Sequence, residues 1–335
     1  MIICRTPFRV SLFGGGTDYP QWFRKHGGSV LGFSIDKYCY ISLRRLPPFF
    51  EHKHRIVYSA VENVREIEEI NHPAVRGILL DRGGIQDGLE IHHDGDLPAR
   101  SGLGSSSSFT VGLYHALAAL DGKIVAKRDL AREAIRIEHK VIEEKVGFQD
   151  QIWAAYGGLN RIDFMENDDF DVKPLIVDNT RRRDLEDHLL LVFTGLSRLA
   201  PVMAAKKIAN LDARERQLKE MHAMVDQAEE ILHDTDKPIS ELGTLLDQSW
   251  QLKRELADGL TTPLVDEIYA KAINAGATGG KLLGAGGGGF MLFICEPDKR
   301  AQVTEALNDF VVVKIGIDHV GSKIVVYEPG GLEFA

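Results

Sequence analysis

Apolar and polar residues alternate with a short period in the first hundred residues, which predicts strands. The predicted strands are Ile2–Phe13, residues 30–43 and residues 89–93. Apolar residues then recur at helical spacing, which predicts the helices Ser105–Leu120, 128–146 and 152–156. Residues 166–183 change from acidic to basic and are predicted to be an interdomain linker, so we divide the chain into domains 1–183 and 184–335.

The second half starts with a predicted strand and continues with a long helical region before its other strands. The predicted helices are 203–233, 239–256, 263–275 and 298–310, and the predicted strands are 189–194, Phe290–Cys295, 311–315 and Lys323–Tyr327. Helices and strands are mixed here without strict alternation, which favours an α+β fold with an antiparallel sheet.

Composition narrows the class of protein. The chain has 335 residues, 44% hydrophobic and 27% charged, as expected of a globular protein with two domains. A net charge of −9 disfavours nucleic acid and anionic membranes as partners. No apolar run is long enough to span a membrane. The three cysteines form no CxxC pair, which favours reduced thiols in a cytoplasmic protein.

One acidic residue interrupts the apolar face of the predicted helix 128–146. Glu138 lies near the middle of that face, four residues from both Ala134 and Ile142. Burying a carboxylate costs several kcal/mol unless a cation or hydrogen bonds compensate. Glu138 is therefore either a salt-bridged structural acid or a carboxylate directed at a metal or substrate.

Glycine is enriched and clustered. There are 33 glycines, and the clusters at 14–16, 102–104 and 276–289 border apolar segments, which favours tight turns or close approach to a ligand over flexible linkers. The second cluster leads into a serine-rich helix start, where backbone N–H groups and the helix dipole favour phosphate. It lacks both the Gly-Lys-Ser/Thr of a Walker loop and the third glycine of a dinucleotide-binding loop. These features indicate phosphoryl transfer.

Three motifs resemble those of the GHMP kinases, in the same order and at similar spacing. They are residues 6–19 (TPFRVSLFGGGTDY), residues 98–108 (PARSGLGSSSS) and residues 279–290 (GGKLLGAGGGGF). The resemblance implies an N-terminal domain like ribosomal protein S5, a ferredoxin-like C-terminal domain, and a cleft between them where ATP and substrate meet. It also implies an ATP- and Mg²⁺-dependent kinase, either a monomer or a homodimer.

The resemblance also implies roles for individual residues. Asp150 matches the carboxylate that takes the proton of the sugar hydroxyl or orients that hydroxyl, and Arg9 matches the arginine that stabilises charge on the reacting groups. Glu138 matches the metal-binding glutamate, and Ser106 is the predicted hydroxyl ligand of Mg²⁺, with Ser105 and Ser107 as the alternatives. The implied ATP-binding residues are Arg100, Ser101, Gly102, Leu103, Gly104, Ser105, Ser106 and Ser107.

The first motif departs from galactokinases, which have Gly-Glu-His-Thr-Asp-Tyr where this chain has Gly-Gly-Gly-Thr-Asp-Tyr. That version is most similar to the kinases of D-glycero-D-manno-heptose 7-phosphate, which form the 1,7-bisphosphate by phosphorylating the anomeric hydroxyl on the route to nucleotide-activated heptose and bacterial surface polysaccharide. A substrate that already carries a phosphate needs a cation, and Lys37 and Lys281 are either that cation or solvated surface lysines. The predicted substrate residues are Gly15, Gly16, Thr17, Asp18, Lys37, Lys281 and Gly287.

Two alternatives stay open on the sequence alone. One is another sugar 1-kinase that acts on fucose, galactose or another unphosphorylated sugar. The other is a sugar sensor of the same fold that binds without transferring phosphate. A sensor has no need of reactive groups, and the presence of Arg9, Glu138 and Asp150 favours a kinase.

Overall fold

Two β-sheets with helices packed on them form the core of the computed structural model, which describes residues 1–84, 87–196, 205–206 and 208–330. Among the described residues, both sheets are almost entirely antiparallel, and only one pair of strands, His54–Val57 with Gly88–Gly95, runs parallel. The predicted α+β class is confirmed.

The first sheet has eight strands. They are β1 (Ile2–Phe13), β2 (Gly28–Leu46), β3 (His54–Val57), β4 (Val61–Val64), β5 (Gly88–Gly95), β6 (Leu159–Phe164), β7 (Phe170–Pro174) and β12 (Lys323–Tyr327). The order is β12-β1-β2-β5-β3-β4, and β6 pairs with both β2 and β7. The inner strand β1 is apolar and mostly buried.

The second sheet has four strands, β8 (Leu189–Phe193), β9 (Ala277–Leu282), β10 (Phe290–Cys295) and β11 (Val311–Val313). Their order is β11-β8-β10-β9, and every residue of β10 is buried. A continuous apolar run of six residues is typical of such a central strand, and the predicted bounds of β10 are confirmed.

The helices cover both sheets. They are α1 (Pro20–His26), α2 (Pro73–Asp81), α3 (Ser105–Leu120), α4 (Lys127–Arg136), α5 (Gln149–Tyr156), α6 (Asn179–His188), α7 (Glu215–His233), α8 (Ser240–Arg254), α9 (Pro263–Asn274) and α10 (Arg300–Ala306). The predicted start of the helix 203–233 falls partly outside the described residues. In the described part of the chain, no helix has the length and apolar character needed to cross a membrane, and all three cysteines are buried and unpaired.

The predicted linker 166–183 is wrong, because this segment forms β7 and the start of α6. Arg181 is buried, and its guanidinium donates hydrogen bonds to the carbonyl oxygens of Ile231 and Leu232 in the last turn of α7 and of Asp234 and Lys237 just after it. A cation at this end of a helix satisfies its last carbonyls and opposes the helix dipole. Arg181 therefore joins the two halves of the chain.

The last strand returns to the first sheet, where β12 pairs antiparallel with β1. The C-terminal segment is thus shared with the sheet of the N-terminal half, although all four strands of the second sheet come from residues 184–335. The division at residue 183 stays a prediction.

The predicted helix 128–146 is interrupted after Arg136. Helix α4 stops at Arg136, and the chain continues through a π-helical turn, Ile137–Val141, which contains Glu138. Such turns are rare and occur often at functional sites.

Candidate active site

Helix α3 begins at the wall of a cavity. Gly104 precedes it with a left-handed φ of 74°, and no side chain among the described residues caps the helix. The first turn, Ser105 to Ser107, lies on the cavity wall. The first N–H groups of a helix lack intrahelical acceptors and carry its positive dipole end. This position therefore suits an anion such as phosphate.

Arg9 and Asp150 form a two-pronged ion pair beside that helix start. Arg9 Nε lies 2.7 Å from Asp150 Oδ1, and Arg9 Nη2 lies 2.6 Å from Asp150 Oδ2. The third arginine nitrogen, Nη1, donates to the carbonyl oxygen of Gly102 at 2.6 Å. Such parallel hydrogen bonds fix geometry as well as adding energy. One arginine thus holds the carboxylate in a set position relative to the glycine loop.

Glu138 is completely buried. Its Oε2 accepts hydrogen bonds from Ser107 Oγ at 3.0 Å and from Gln151 Nε2. Its Oε1 is buried with no hydrogen-bond partner among the described residues. Burial, followed by the nearby charge of Glu144, raises the pKa of Glu138 to about 8. An unsatisfied buried carboxylate oxygen of this kind indicates a missing cationic partner.

The first motif forms the next part of the same cavity. Gly15, Gly16 and Asp18 lie on its wall. Asp18 Oδ1 accepts from the backbone N–H of Gly16 at 2.9 Å, and Oδ2 accepts from Gln149 Nε2 at 2.7 Å. Because its two oxygens are tied to the glycine turn and to α5, the carboxylate has a fixed orientation toward a ligand.

The cavity has a volume of about 240 Å³ and is built from both halves of the chain. The first half contributes the glycine loop, the first motif and Asp150. The second half contributes Lys253, Lys281, Gly284 and Ala285.

Comparison with known proteins agrees with this geometry. The family model "GHMP kinases N terminal domain" matches residues 56–158, and "GHMP kinases C terminal" matches residues 204–313. A D-glycero-alpha-D-manno-heptose 7-phosphate kinase from Campylobacter jejuni is 30% identical, over 93% of this chain and 97% of that protein. The chain belongs to the GHMP kinase family. It is therefore an ATP-dependent kinase.

Two further relatives show how widely the similarity extends. A bifunctional fucokinase/GDP-fucose pyrophosphorylase from Arabidopsis thaliana is 26% identical over 88% of this chain, which corresponds to 30% of that longer protein. The crystal structure of a D-glycero-D-manno-heptose 1-phosphate kinase from Bacteroides thetaiotaomicron superposes with a TM-score of 0.77 at 23% identity, covering 96% of this chain and 98% of that one. The two-domain GHMP kinase fold predicted from the motifs is confirmed.

The GHMP kinase site contains oxygen donors that fit Mg²⁺. Glu138 has an unsatisfied buried oxygen, and Glu144 Oε2 lies 3.4 Å from Ser106 Oγ at the start of α3. Mg²⁺ prefers oxygen ligands, and in kinases it is held by one or two carboxylates together with substrate phosphates. The described residues contain no cluster of three or more His, Cys, Asp or Glu that could hold a metal, and the Mg²⁺ arrangement does not need one. Glu138, Glu144 and the serines of α3 would hold the ion.

The assignment of Ser106 as the hydroxyl ligand stays a prediction. The structure places Ser107, which sequence reasoning ranked behind Ser106, against Glu138, and it places Ser106 against Glu144. Helical geometry explains the difference, because successive residues point about 100° apart.

Glu138→Gln is expected to stabilise the metal-free protein at alkaline pH. The pKa of Glu138 in the fold is about 8, above the ordinary 4.5. The carboxyl group therefore destabilises the fold increasingly as the pH rises from about 4.5 through 8, whereas a neutral amide does not. In EDTA, the variant should have the higher Tm at pH 9, and the difference should disappear near pH 4.5. A constant difference across this range would contradict the raised pKa.

The other predicted residues are distributed around the site. Arg100 and Lys281 lie on the cavity wall, whereas Ser101 and Leu103 are buried beneath the glycine loop. Thr17 is buried, and its hydroxyl bonds the carbonyl oxygens of Gly14 and Ser29, which gives it a structural role in the turn.

The structure does not bring three predicted substrate residues, Thr17, Lys37 and Gly287, to the cavity wall. Lys37 pairs with the adjacent Asp36 at 2.8 Å, away from the wall. Gly287 donates its N–H to Leu260 and also lies off the wall. Sequence reasoning missed the wall residues Ser11, Tyr19, Glu144, Gln149 and Lys253.

The glycine loop of the first half packs backbone to backbone against the glycine motif of the second. A Cβ added to Gly284, where φ is +66°, would lie 2.5 Å from Gly102 Cα. A Cβ added to Gly102, where φ is +84°, would lie 2.8 Å from the carbonyl oxygen of Leu283. Both positions need glycine for its conformation and for its lack of a side chain.

Gly284→Ala is expected to lower both kcat and Tm, because the methyl group would push the glycine loop away from its position beside Arg9 and Asp150. Gly122→Ala is the matched control, since Gly122 has a similar φ of +70° and nothing within 4 Å of an added Cβ. The control measures the cost of placing alanine in a left-handed backbone conformation, which is roughly 1–2 kcal/mol. We expect Gly284→Ala to cost clearly more stability in urea unfolding and to lose at least about tenfold in kcat. Equal effects of the two substitutions would rule out the close backbone packing of Gly284 against Gly102.

Proposed function

We propose that this enzyme phosphorylates the anomeric C1 hydroxyl of D-glycero-D-manno-heptose 7-phosphate to give the 1,7-bisphosphate, for nucleotide-activated heptose and surface polysaccharide. The observation that carries the proposal is the Arg9–Asp150 pair, fixed on the glycine loop at the wall of a cavity that also contains buried lysines. The similarity along nearly the whole length of the Campylobacter jejuni kinase supports this substrate.

The chain is a sugar kinase of the GHMP family, and the relatives that match most of its length include a heptose 7-phosphate kinase and a fucokinase-containing protein. In the proposed reaction, Asp150 accepts the proton of the C1 hydroxyl as that oxygen bonds to the γ-phosphorus of ATP. The bond from this phosphorus to the bridging oxygen breaks, and ADP leaves with the electron pair. Arg9 keeps the carboxylate in place throughout.

The start of α3 supplies N–H donors for nucleotide phosphates. Bound Mg²⁺ would neutralise charge on those phosphates. Glu138 and Glu144, which accept hydrogen bonds from Ser107 and Ser106 in the first turn of α3, are the residues that would hold the ion.

A sugar 1-kinase that acts on an unphosphorylated sugar is the second candidate. The match to the fucokinase-containing protein favours it, and so does the absence of side chains at Gly15 and Gly16, which leaves room for different sugars beside Asp18.

The test is ADP release with Mg-ATP against heptose 7-phosphate, mannose, galactose and fucose in parallel, with ³¹P NMR of each product. We expect a second, anomeric phosphate resonance with heptose 7-phosphate. Turnover of a free sugar alone would keep the kinase and overturn the heptose assignment.

A further inference from the structure

We infer that Lys253, Lys281 and Ser11 form a second anion site in the cavity, which binds the phosphate that the sugar already carries. This inference deepens the proposed function and rests on it, because it requires the acceptor to be a sugar monophosphate. It adds Lys253 and Ser11 to the substrate site. The resemblance to GHMP kinases implied no role for either residue.

The two lysines reach the cavity from different elements of the second half. Lys281 on β9 is 3% exposed, and its Nζ donates to the carbonyl oxygen of Leu12 at 2.7 Å. Lys253, in the last turn of α8, is 5% exposed, and its Nζ donates to the carbonyl oxygens of Leu282 and Gly284 at 2.7 and 2.8 Å. These carbonyl oxygens fix the position of each ammonium group. Two ammonium groups held on one cavity wall make that part of the wall positive, which favours an anionic ligand.

Ser11 is the second observation, and it is independent of the lysines. Its side chain is 93% buried on the cavity wall, and its Oγ has no hydrogen-bond partner among the described residues. A Cβ added to Gly15 would lie 3.5 Å from this oxygen, so Ser11 borders the glycine turn of the first motif. Its neighbour Leu12 is the acceptor for Lys281. A buried hydroxyl without a partner among the described residues, on the same wall as two fixed ammonium groups, suits a phosphate oxygen.

This anion site uses different residues from the one at the start of α3. The α3 site combines helix N–H groups, Arg100 and the Glu138–Glu144 carboxylates. The lysine site is built on β1, β9 and α8, next to Gly15 and Gly16. A kinase with a phosphorylated acceptor needs two such places, one for the nucleotide phosphates and one for the phosphate of the acceptor.

The experiment compares matched acceptors with and without a phosphate. The full-length enzyme and its Lys253→Met, Lys281→Met and Ser11→Ala variants are assayed with heptose 7-phosphate, unphosphorylated heptose, mannose 6-phosphate and mannose. We expect kcat/KM for the phosphorylated acceptor to fall at least about 30-fold with either lysine variant and about tenfold with Ser11→Ala. For the unphosphorylated partner we expect less than threefold loss, with the KM for ATP unchanged.

Ser11→Ala also controls for folding, and one further variant, Lys271→Met, controls for lysine content. Ser11→Ala removes a hydroxyl with no partner in the described fold, so its Tm should equal that of the parent even where a lysine variant is destabilised. Lys271→Met removes a surface lysine that pairs with Glu267 on α9, and it should leave every kcat/KM unchanged.

The outcomes separate this inference from the proposed function. The parent enzyme could turn over mannose 6-phosphate but not heptose 7-phosphate. If the variants then lose kcat/KM for mannose 6-phosphate and not for mannose, the anion site is supported and the heptose assignment is overturned. A parent enzyme that uses only unphosphorylated sugars would overturn the anion site. Equal losses of kcat/KM for the phosphorylated and the unphosphorylated form of an acceptor would also overturn the anion site, and so would a raised KM for ATP. In either case the lysines would serve nucleotide binding or the fold.

Discussion

Asp150→Asn is expected to reduce kcat about 1,000-fold and to leave nucleotide binding nearly unchanged. General base catalysis contributes about 10²–10⁴-fold to enzymatic rates, and Asp150 is the carboxylate that Arg9 fixes beside the glycine loop. An amide of the same shape keeps an oxygen for Arg9 but cannot accept the proton of the hydroxyl. The measurement is steady-state ADP release with a saturating acceptor, together with calorimetric binding of a non-hydrolysable ATP analogue.

The matched control is Asp36→Asn, which changes a carboxylate whose described partners are Lys37 and the backbone N–H of Gly316, away from the cavity. It should retain parental kcat. If Asp150→Asn turned over at the parental rate, Asp150 would have no part in the reaction. If both kcat and analogue binding were lost, the residue would instead support the nucleotide site through Arg9.

The parts of this site that were predictable from sequence are those in which local chemistry conflicts with local structure. Glu138 was recognisable because a carboxylate stood on an apolar helical face, and the structure buries it completely. The glycine loop was recognisable because glycines precede a serine-rich helix start, and α3 has the predicted bounds Ser105–Leu120. In both cases the signal lies within one turn or one helix.

Other residues carry no such signal, because long-range packing alone gives them their roles. Lys253 ends an ordinary amphipathic helix, and only the fold brings it to the carbonyl oxygens of Leu282 and Gly284. Lys37 and Lys281 looked equivalent in sequence, but β9 carries Lys281 into the cavity and Lys37 pairs with its neighbour Asp36. Arg181 falls in the segment predicted to be a linker, and its hydrogen-bond partners lie about fifty residues further along the chain.

The predicted bounds of a helix are wrong where tertiary contacts override the apolar periodicity of the sequence. The apolar period of the helix 128–146 continues past Arg136, but the chain widens into a π-helical turn there. This turn is where Glu138 meets Ser107 and Gln151. A regular α-helix would place the carboxylate at a different angle, so the departure from the predicted helix coincides with the site itself.

Glu138→Gln is also expected to raise the Mg²⁺ concentration needed for half-maximal activity at least about tenfold and to lower kcat about 100-fold at saturating Mg-ATP. The buried Oε1 of Glu138 has no partner among the described residues, and an amide provides no negative charge to bind a cation there. Residual binding through Glu144 and phosphate oxygens should keep some activity.

Initial rates over a Mg²⁺ series at pH 8.5 measure this effect. Glu133→Gln is the matched control, because Glu133 pairs with Arg136 on α4 in the turn before the π-helical segment, and its Mg²⁺ requirement should equal that of the parent. Because the same Glu138→Gln variant is expected to stabilise the metal-free fold at this pH, a loss of activity with a raised Tm would separate metal binding from unfolding. A Mg²⁺ requirement equal to that of the parent would remove Glu138 from the metal site and leave its buried charge as a structural acid.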